Sequence, residues 1–259
     1  KLREFYNLIC SFPEKKLKFN HLVQLVFVSA FSILISCDTK PVDTRRINSD
    51  PLKTGSDTLK KEISIEGIDG SHHQGDINWS AVKGDSIHFV FMKATEGVTW
   101  VDPKFRQNWK AVKDAGMVLG AYHFYRPERD AIQQADNFIN TVVLDSRDLP
   151  PVLDVELKYN VSKRDIRQDV LIWLKHVEAA YNRKPILYTD SSFVNLNLAN
   201  EFTNYPLWIA EYADSVSGSL AGWDKWTFWQ YTNSGEVKGV AGPVDRNVFR
   251  GTLTEWEEL

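Results

Sequence analysis

The run Val152-Leu153-Asp154-Val155-Glu156, then a helix-patterned segment from Ser162 to Tyr181, then a second apolar run Ile186-Leu187-Tyr188-Thr189, decides the fold. A short apolar run, an amphipathic helix and another short apolar run make a βα unit feeding a parallel strand. The helix starts at Ser162, with Asp165 three residues on in a capping-box-like arrangement. Ile166, Val170, Trp173, Leu174, Val177 and Tyr181 follow at helical spacing, so this face reads as core.

The same alternation extends in both directions. Strands are expected at Ile65 to Asp69, Phe89 to Ala94, Val118 to Phe124, Val152 to Glu156, Ile186 to Thr189, Leu207 to Tyr212, Thr227 to Thr232 and around Val244. Pro103 to Ala115 and Ala131 to Val143 carry two further helices. Helical signals fade after Tyr212 and turn residues multiply, so the chain is expected to finish with strands joined by short loops. The fold class is α/β, and the strand count and parallel connections point to a barrel. No internal repeat is visible.

In such a barrel, reactive groups gather at the carboxyl ends of the strands. Asp69 stands at the end of the first strand, Asp154 and Glu156 at the end of the fourth, and Asp245 in the last apolar run. Residues two apart on a strand project from one face, so Asp154 and Glu156 form a same-side acidic pair. Buried carboxyls need partners, a shifted pKa or both. Converging carboxyls repel, which raises at least one pKa and equips that group as a general acid near neutral pH. Taken singly, an Asp at a strand end is a turn former or helix cap, and an acidic pair can be structural.

Composition bounds the rest. The 259 residues are 43% hydrophobic and 25% charged, enough for one large core. Lys15, Lys16 and Lys18 precede an apolar run from Leu22 to Ile35, which ends in Leu34-Ile35-Ser36-Cys37. That order reads as an export signal over residues 1–36, and the run is short of the roughly 20 residues that span a membrane. Leu-Ile-Ser-Cys resembles the lipobox of bacterial lipoproteins, with Cys37 as the lipidated residue. Residues 37–62 read as the lipidated cysteine and a flexible polar tether, some 25 to 30 Å in average reach. An exported, membrane-anchored protein, facing the periplasm or the cell surface, is the expectation.

Cys10 and Cys37 are the two cysteines, so loss of the first and lipidation of the second would leave no disulfide. The whole chain has 31 Lys+Arg and 34 Asp+Glu; without residues 1–36, which hold five and two of these, the balance is 26 against 32, or −6. Nucleic acid is excluded as an expected partner.

Several stretches match one family in order and spacing. They are Gly67-Ile68-Asp69-Gly70-Ser71-His72-His73-Gln74-Gly75, Phe91-Met92-Lys93-Ala94-Thr95-Glu96-Gly97, Gly120-Ala121-Tyr122-His123-Phe124, Asp154-Val155-Glu156, Trp229-Gln230-Tyr231 and Val244-Asp245. On them the chain resembles the glycoside hydrolase family 25 lysozymes, the Chalaropsis type of N-acetylmuramidase. The resemblance spans about Glu66 to Gly251, within a catalytic domain of residues 63–259. It implies an irregular TIM-like barrel of about five βα units finished by three strands. It also implies cleavage of the β-1,4 bond between N-acetylmuramic acid and N-acetylglucosamine in peptidoglycan.

Carried over by motif, Glu156 is the general acid/base. Asp154 orients the substrate's own acetamido group, which attacks from the opposite face and gives net retention. Asp69 and Asp245 bind sugar and tune Glu156. The chain departs from the family at Gly70, where Val is frequent, and at Glu211, a position commonly uncharged. Both bear on substrate preference and pH optimum.

Aromatic residues, 12% of the chain, supply sugar-stacking candidates where strands open: Tyr122, Phe124, Tyr188, Trp208, Trp229 and Tyr231, of which Tyr122, Tyr188 and Trp229 are singled out. His72-His73 point oppositely on an extended segment and make a poor metal pair. No metal, no cofactor and a monomer are expected. Two rivals stand beside the enzyme: a non-catalytic wall-binding lipoprotein, and a metal-dependent deacetylase, for which His88, His123 and His176 form no obvious ligand set. Asn78-Trp79-Ser80 and Asn160-Val161-Ser162 match a glycosylation sequon and read as chance.

Overall fold

A computed structural model describes residues 62–198 and 200–259. The export segment, Cys37 and the tether up to residue 61 lie outside the described residues. Strand β1 (Glu62–Gly70) is followed by a 3-10 turn (His72–Gln74) and helix α1 (Trp79–Gly84). Then come β2 (Phe89–Glu96), the short β3 (Trp100–Val101), α2 (Phe105–Asp114), β4 (Val118–Phe124), α3 (Ala131–Thr141), β5 (Val152–Asp154) and α4 (Lys163–Tyr181). The chain ends with β6 (Ile186–Asp190), α5 (Ser191–Asn197), β7 (Leu207–Ala210), β8 (Phe228–Gly235), β9 (Val244–Thr252) and α6 (Leu253–Glu257).

Eight strands close a barrel. Parallel neighbours run β1-β2-β4-β5-β6-β7-β8, and β9 lies antiparallel between β8 and β1. The small strand β3 folds back on the end of β2, outside the ring. Five βα units finished by three strands is therefore the architecture, as the family resemblance implies. Buried strands of a parallel barrel are apolar on both faces, and Phe89 to Thr95 of β2 are buried throughout.

Local chemistry sets the ends of the helices. The Ser162 hydroxyl accepts the Asp165 amide at 3.2 Å, and Asn182 closes α4 in the left-handed region at φ 52°. Its Ile166, Val170, Trp173, Leu174 and Val177 are buried against the barrel wall. Asp190 ends β6 and caps α5, accepting the amides of Ser192 and Phe193 at 2.8 Å each.

Inside the barrel, Phe89, Phe91, Trp208, Phe228 and Phe249 pack as a separate aromatic core. Phe91 stacks on Trp208 with centroids 4.4 Å apart, and Phe228 meets Phe89 at 5.2 Å. Glycines make the room. A Cβ on Gly67 would stand 2.4 Å from the Phe89 ring, and one on Gly120 would stand 2.5 Å from Phe91. Gly120→Ala is therefore expected to cost about 1–3 kcal/mol by overpacking, read as a lowered midpoint in urea unfolding.

Because β9 is reversed, it starts at the mouth of the barrel and ends at the floor. There Thr252 pairs with Glu62, the first residue of β1, and α6 lays Trp256 across Phe249 at 5.0 Å and Phe89 at 5.9 Å.

Three expectations need correction. Strand β5 ends at Asp154, so Glu156 stands just beyond it, although the Val155 amide still bonds the Tyr188 carbonyl at 2.9 Å. The β7–β8 connection, residues 211–227, is long, because Trp223 and Trp226 pack there against the wall. A last helix, α6, forms where helical signals had faded, nucleated by a capping box between Thr252 and Glu255.

Candidate active site

Side-chain alternation assembles the site. On each strand, every second residue faces the barrel axis, and the last of these faces the mouth. Below them lie Phe89 and Phe91 of β2, Val152 of β5, Ile186 of β6, Phe228 of β8 and Phe249 of β9. Continuing each series upward gives Asp69, Lys93, Tyr122, Asp154, Glu156, Tyr188, Gln230 and Asp245, which line one cavity of about 290 Å³. Asp245 joins them through the reversal of β9, which pairs it directly with Asp69.

All four acids singled out from the sequence thus meet at the mouth, as do Tyr122 and Tyr188. Trp229 does not. Its neighbours Phe228 and Gln230 face inward, so Trp229 faces outward by period two. There its indole N–H donates to the Glu211 carbonyl at 2.8 Å, and its ring meets Trp226 and Tyr231 at 5.8 Å each. Tyr231 also turns away from the axis, bonding Glu66 at 2.7 Å. Phe124 and Trp208 do line the cavity, and Tyr212 reaches it from the β7–β8 loop. Lys93, Gln230 and Tyr212 were missed as site residues, although counting alternate positions up β2 and β8 identifies the first two.

Asp69 is 6% exposed and heavily solvated by side chains. Its Oδ2 accepts Gln230 Nε2 and Asn247 Nδ2, both at 2.8 Å. Gln230 is oriented in turn by Tyr188 and Tyr212, whose hydroxyls donate to its Oε1 at 2.9 and 2.8 Å, and Asn247 by the Trp208 indole at 2.8 Å. Burial, then the Asp245 charge, push Asp69 up to about 8, against which these two amide bonds work. Burial also raises Asp245, partly offset by a hydrogen bond from Asp69. The two acids behave as a pair that shares one proton.

Asp154 differs in having a lone oxygen. It is 6% exposed, and its Oδ1 is buried without a hydrogen-bond partner. Burial drives its pKa well above the ordinary carboxylate range, the Glu156 charge adds to this, and the Lys93 ammonium opposes it. Glu156 is half-buried; burial raises it first, a Tyr188 hydrogen bond lowers it, and Asp190 and Asp245 raise it again. Buried polar atoms are usually paired, so this lone oxygen beside a protonatable carboxyl sets Asp154 apart from Asp69.

His72 and His73 lie in the 3-10 turn and not on an extended segment, so they do not point oppositely: their ring centroids are 4.0 Å apart, while the other histidines stand away from them. His72 Nδ1 bonds Asp102 at 2.8 Å, as a loop-packing role predicts, while His73 lines the cavity. His123 is fully buried behind β4 against Thr95 and Gln134, and burial lowers it to about 4, so it is neutral. His176 pairs with Asp136 at 2.9 Å on the outer helices, and His88 is exposed. Among the described residues no cluster of three or more His, Cys, Asp or Glu has metal-binding geometry.

Comparison with known proteins agrees with this geometry. The Escherichia coli K12 protein YegX, uncharacterized, is 40% identical over 212 residues, covering 79% of this chain and 76% of its own. Lysozyme M1 of Streptomyces globisporus is 37% identical over 205 residues, covering 73% of this chain and 68% of its own. The crystal structure of the bacterial lysozyme from Streptomyces coelicolor superposes with a TM-score of 0.71 at 36% identity, over 74% of this chain and 95% of that one. The profile of Glycosyl hydrolases family 25 matches residues 68–240, which hold Asp69, Asp154 and Glu156 of the mouth but not Asp245, and the chain belongs to that family.

Proposed function

We infer that the protein is a lysozyme-type peptidoglycan hydrolase, cutting the β-1,4 bond between N-acetylmuramic acid and N-acetylglucosamine. One observation carries the residue assignment: the buried, unpartnered Oδ1 of Asp154 beside the raised carboxyl of Glu156. Glu156 protonates the departing glycosidic oxygen. The acetamido carbonyl oxygen of the muramic acid attacks C1 from the opposite face as the C1–O bond breaks, while its N–H donates to Asp154 Oδ1. Water, deprotonated by Glu156, then opens the cyclic intermediate with net retention.

The arriving N–H also decides where the proton sits. Asp154 and Glu156 are both raised and repel each other. A donor at Asp154 favours its carboxylate and leaves the proton on Glu156, where the chemistry requires it. Asp69 and Asp245 bind sugar hydroxyls, and Tyr122 and Tyr188 give it apolar faces. Export, lipidation at Cys37, the tether and a monomeric state complete the proposal.

Purified peptidoglycan treated with the protein lacking residues 1–37, reduced with borohydride and analysed by mass spectrometry, should yield reduced N-acetylmuramic acid ends. Proton NMR early in the reaction should show the β anomer. Activity should survive EDTA; loss on chelation would favour the deacetylase chemistry. Pelleting with the wall without new ends would favour a binding module.

A further inference from the structure

Lys93 is the one lysine or arginine among the described residues lining the cavity, and it is 8% exposed. It extends from β2 between two aromatic rings, its ammonium 4.6 Å from the Phe124 centroid and 5.0 Å from that of Trp100. Its ion pair is with Glu96 Oε2 at 2.6 Å, and the carboxylate of Glu96 is itself gripped by Arg126, whose Nε donates to Oε1 at 2.9 Å. Arg126 is anchored in turn on the Tyr159 hydroxyl at 2.7 Å. Burial works against the Glu96 carboxylate, and the bonds from Lys93 and Arg126 outweigh it, so it stays ionised. The clamp is complete before any ligand arrives.

A cation among four carboxyls would ordinarily pair with one of them. Had Lys93 closed on Asp154, the lone Oδ1 would be filled and closed to an incoming N–H. We propose that Glu96 and Lys93 are positioning residues: Glu96 holds the Lys93 ammonium at the cavity wall, where its charge favours the Asp154 carboxylate through space without occupying Oδ1. This rests on the muramidase reading for its purpose, and on the geometry alone for its electrostatics.

Asp69 from β1, Asp245 from β9, Asp190 from β6 and Glu96 itself, at the end of β2, also bear on the Asp154–Glu156 pair, and all oppose further negative charge there. Tyr122 and Tyr188 are kept neutral by burial, and His73 lies on the rim. Against this acidic surround the ammonium is the counterweight, and removing it or freeing it has opposite signs. In Lys93→Met, both limbs of the kcat/KM profile against pH should move up by about 1 pH unit. Glu96→Gln removes a charge that raises Asp154 and releases the ammonium toward it, so both limbs should move down; loss of the charge alone would leave the maximum unchanged, whereas release of the ammonium lowers it because Oδ1 is then occupied. Loss of support for the fold would instead lower the whole profile at unchanged position, and Lys93→Arg, which keeps the charge, should keep the wild-type limbs.

Carbon-13 NMR titration of the aspartate carboxyls in the three proteins, with no glycan present, reads Asp154 directly. A shift upward in Lys93→Met and downward in Glu96→Gln supports the clamp, even were no protein to cut the wall, an outcome that would sink only the muramidase reading. An active wild type whose Asp154 titrates identically in all three overturns the clamp.

Discussion

Glu156→Gln should lower kcat on peptidoglycan by about 10³-fold or more while leaving the protein folded, because it removes the only transferable proton at the leaving oxygen. Glutamine keeps the size of the side chain, so the cavity walls have no reason to move. It also removes one of the negative charges that face Asp190 and Asp245. The variant should therefore melt at or slightly above the wild-type temperature, and it should still bind glycan. Turnover by reducing-end assay, read beside a melting curve and a wall-pelleting assay, separates the chemical loss from a folding defect. A variant that keeps a tenth of wild-type turnover would remove Glu156 from the acid role.

Asp69→Asn should make the protein more stable in alkali than the wild type. In the folded state Asp69 is raised to about 8, by burial first and by Asp245 second, while in the unfolded chain it titrates near the model-compound value of 3.8. Folding thus binds a proton between those two values. The stability associated with the neutral acid is fully present below pH 4 and is lost as pH rises through 8. Asparagine retains an oxygen for Gln230 and Asn247 and presents an amide to Asp245, with no charge to bury. Urea unfolding at pH 9 should show a gain on the order of 2–4 kcal/mol, shrinking toward zero at pH 4. A difference that is constant with pH, or a loss at pH 9, would mean that the Asp69–Asp245 pair does not share a proton as described.

Much of this site was readable in one dimension, for a definite reason. Strand alternation is a property of the backbone, so Asp154 and Glu156 had to share a face once Val152 to Asp154 was extended. The same rule, carried through Phe228, Trp229 and Gln230, assigns Gln230 to the mouth and Trp229 to the wall; aromatic character near a strand end does not by itself place a ring in the cavity. The helices were legible where caps and an apolar stripe coincided, as from Ser162 to Val177. Helix α6 was not, because five residues carry too little period and its stability comes from Trp256 meeting rings contributed by β2 and β9. The long β7–β8 loop escaped for a related reason: Trp223 and Trp226 are held by tertiary packing, which leaves no local spacing to read. Lys93 lay in a matched motif, yet its partner arrangement depends on Glu96 and Arg126 coming from the ends of two different strands.

The reversed last strand has a consequence for how the molecule is handled. Glu62 and Thr252 are paired at the floor, so the chain enters the barrel, and returns from its final strand, on the side opposite the four carboxyls. Any attachment made through the amino end therefore joins the barrel at its base, away from the opening. A polymer that enters the mouth thus does not meet the point at which the chain joins the barrel.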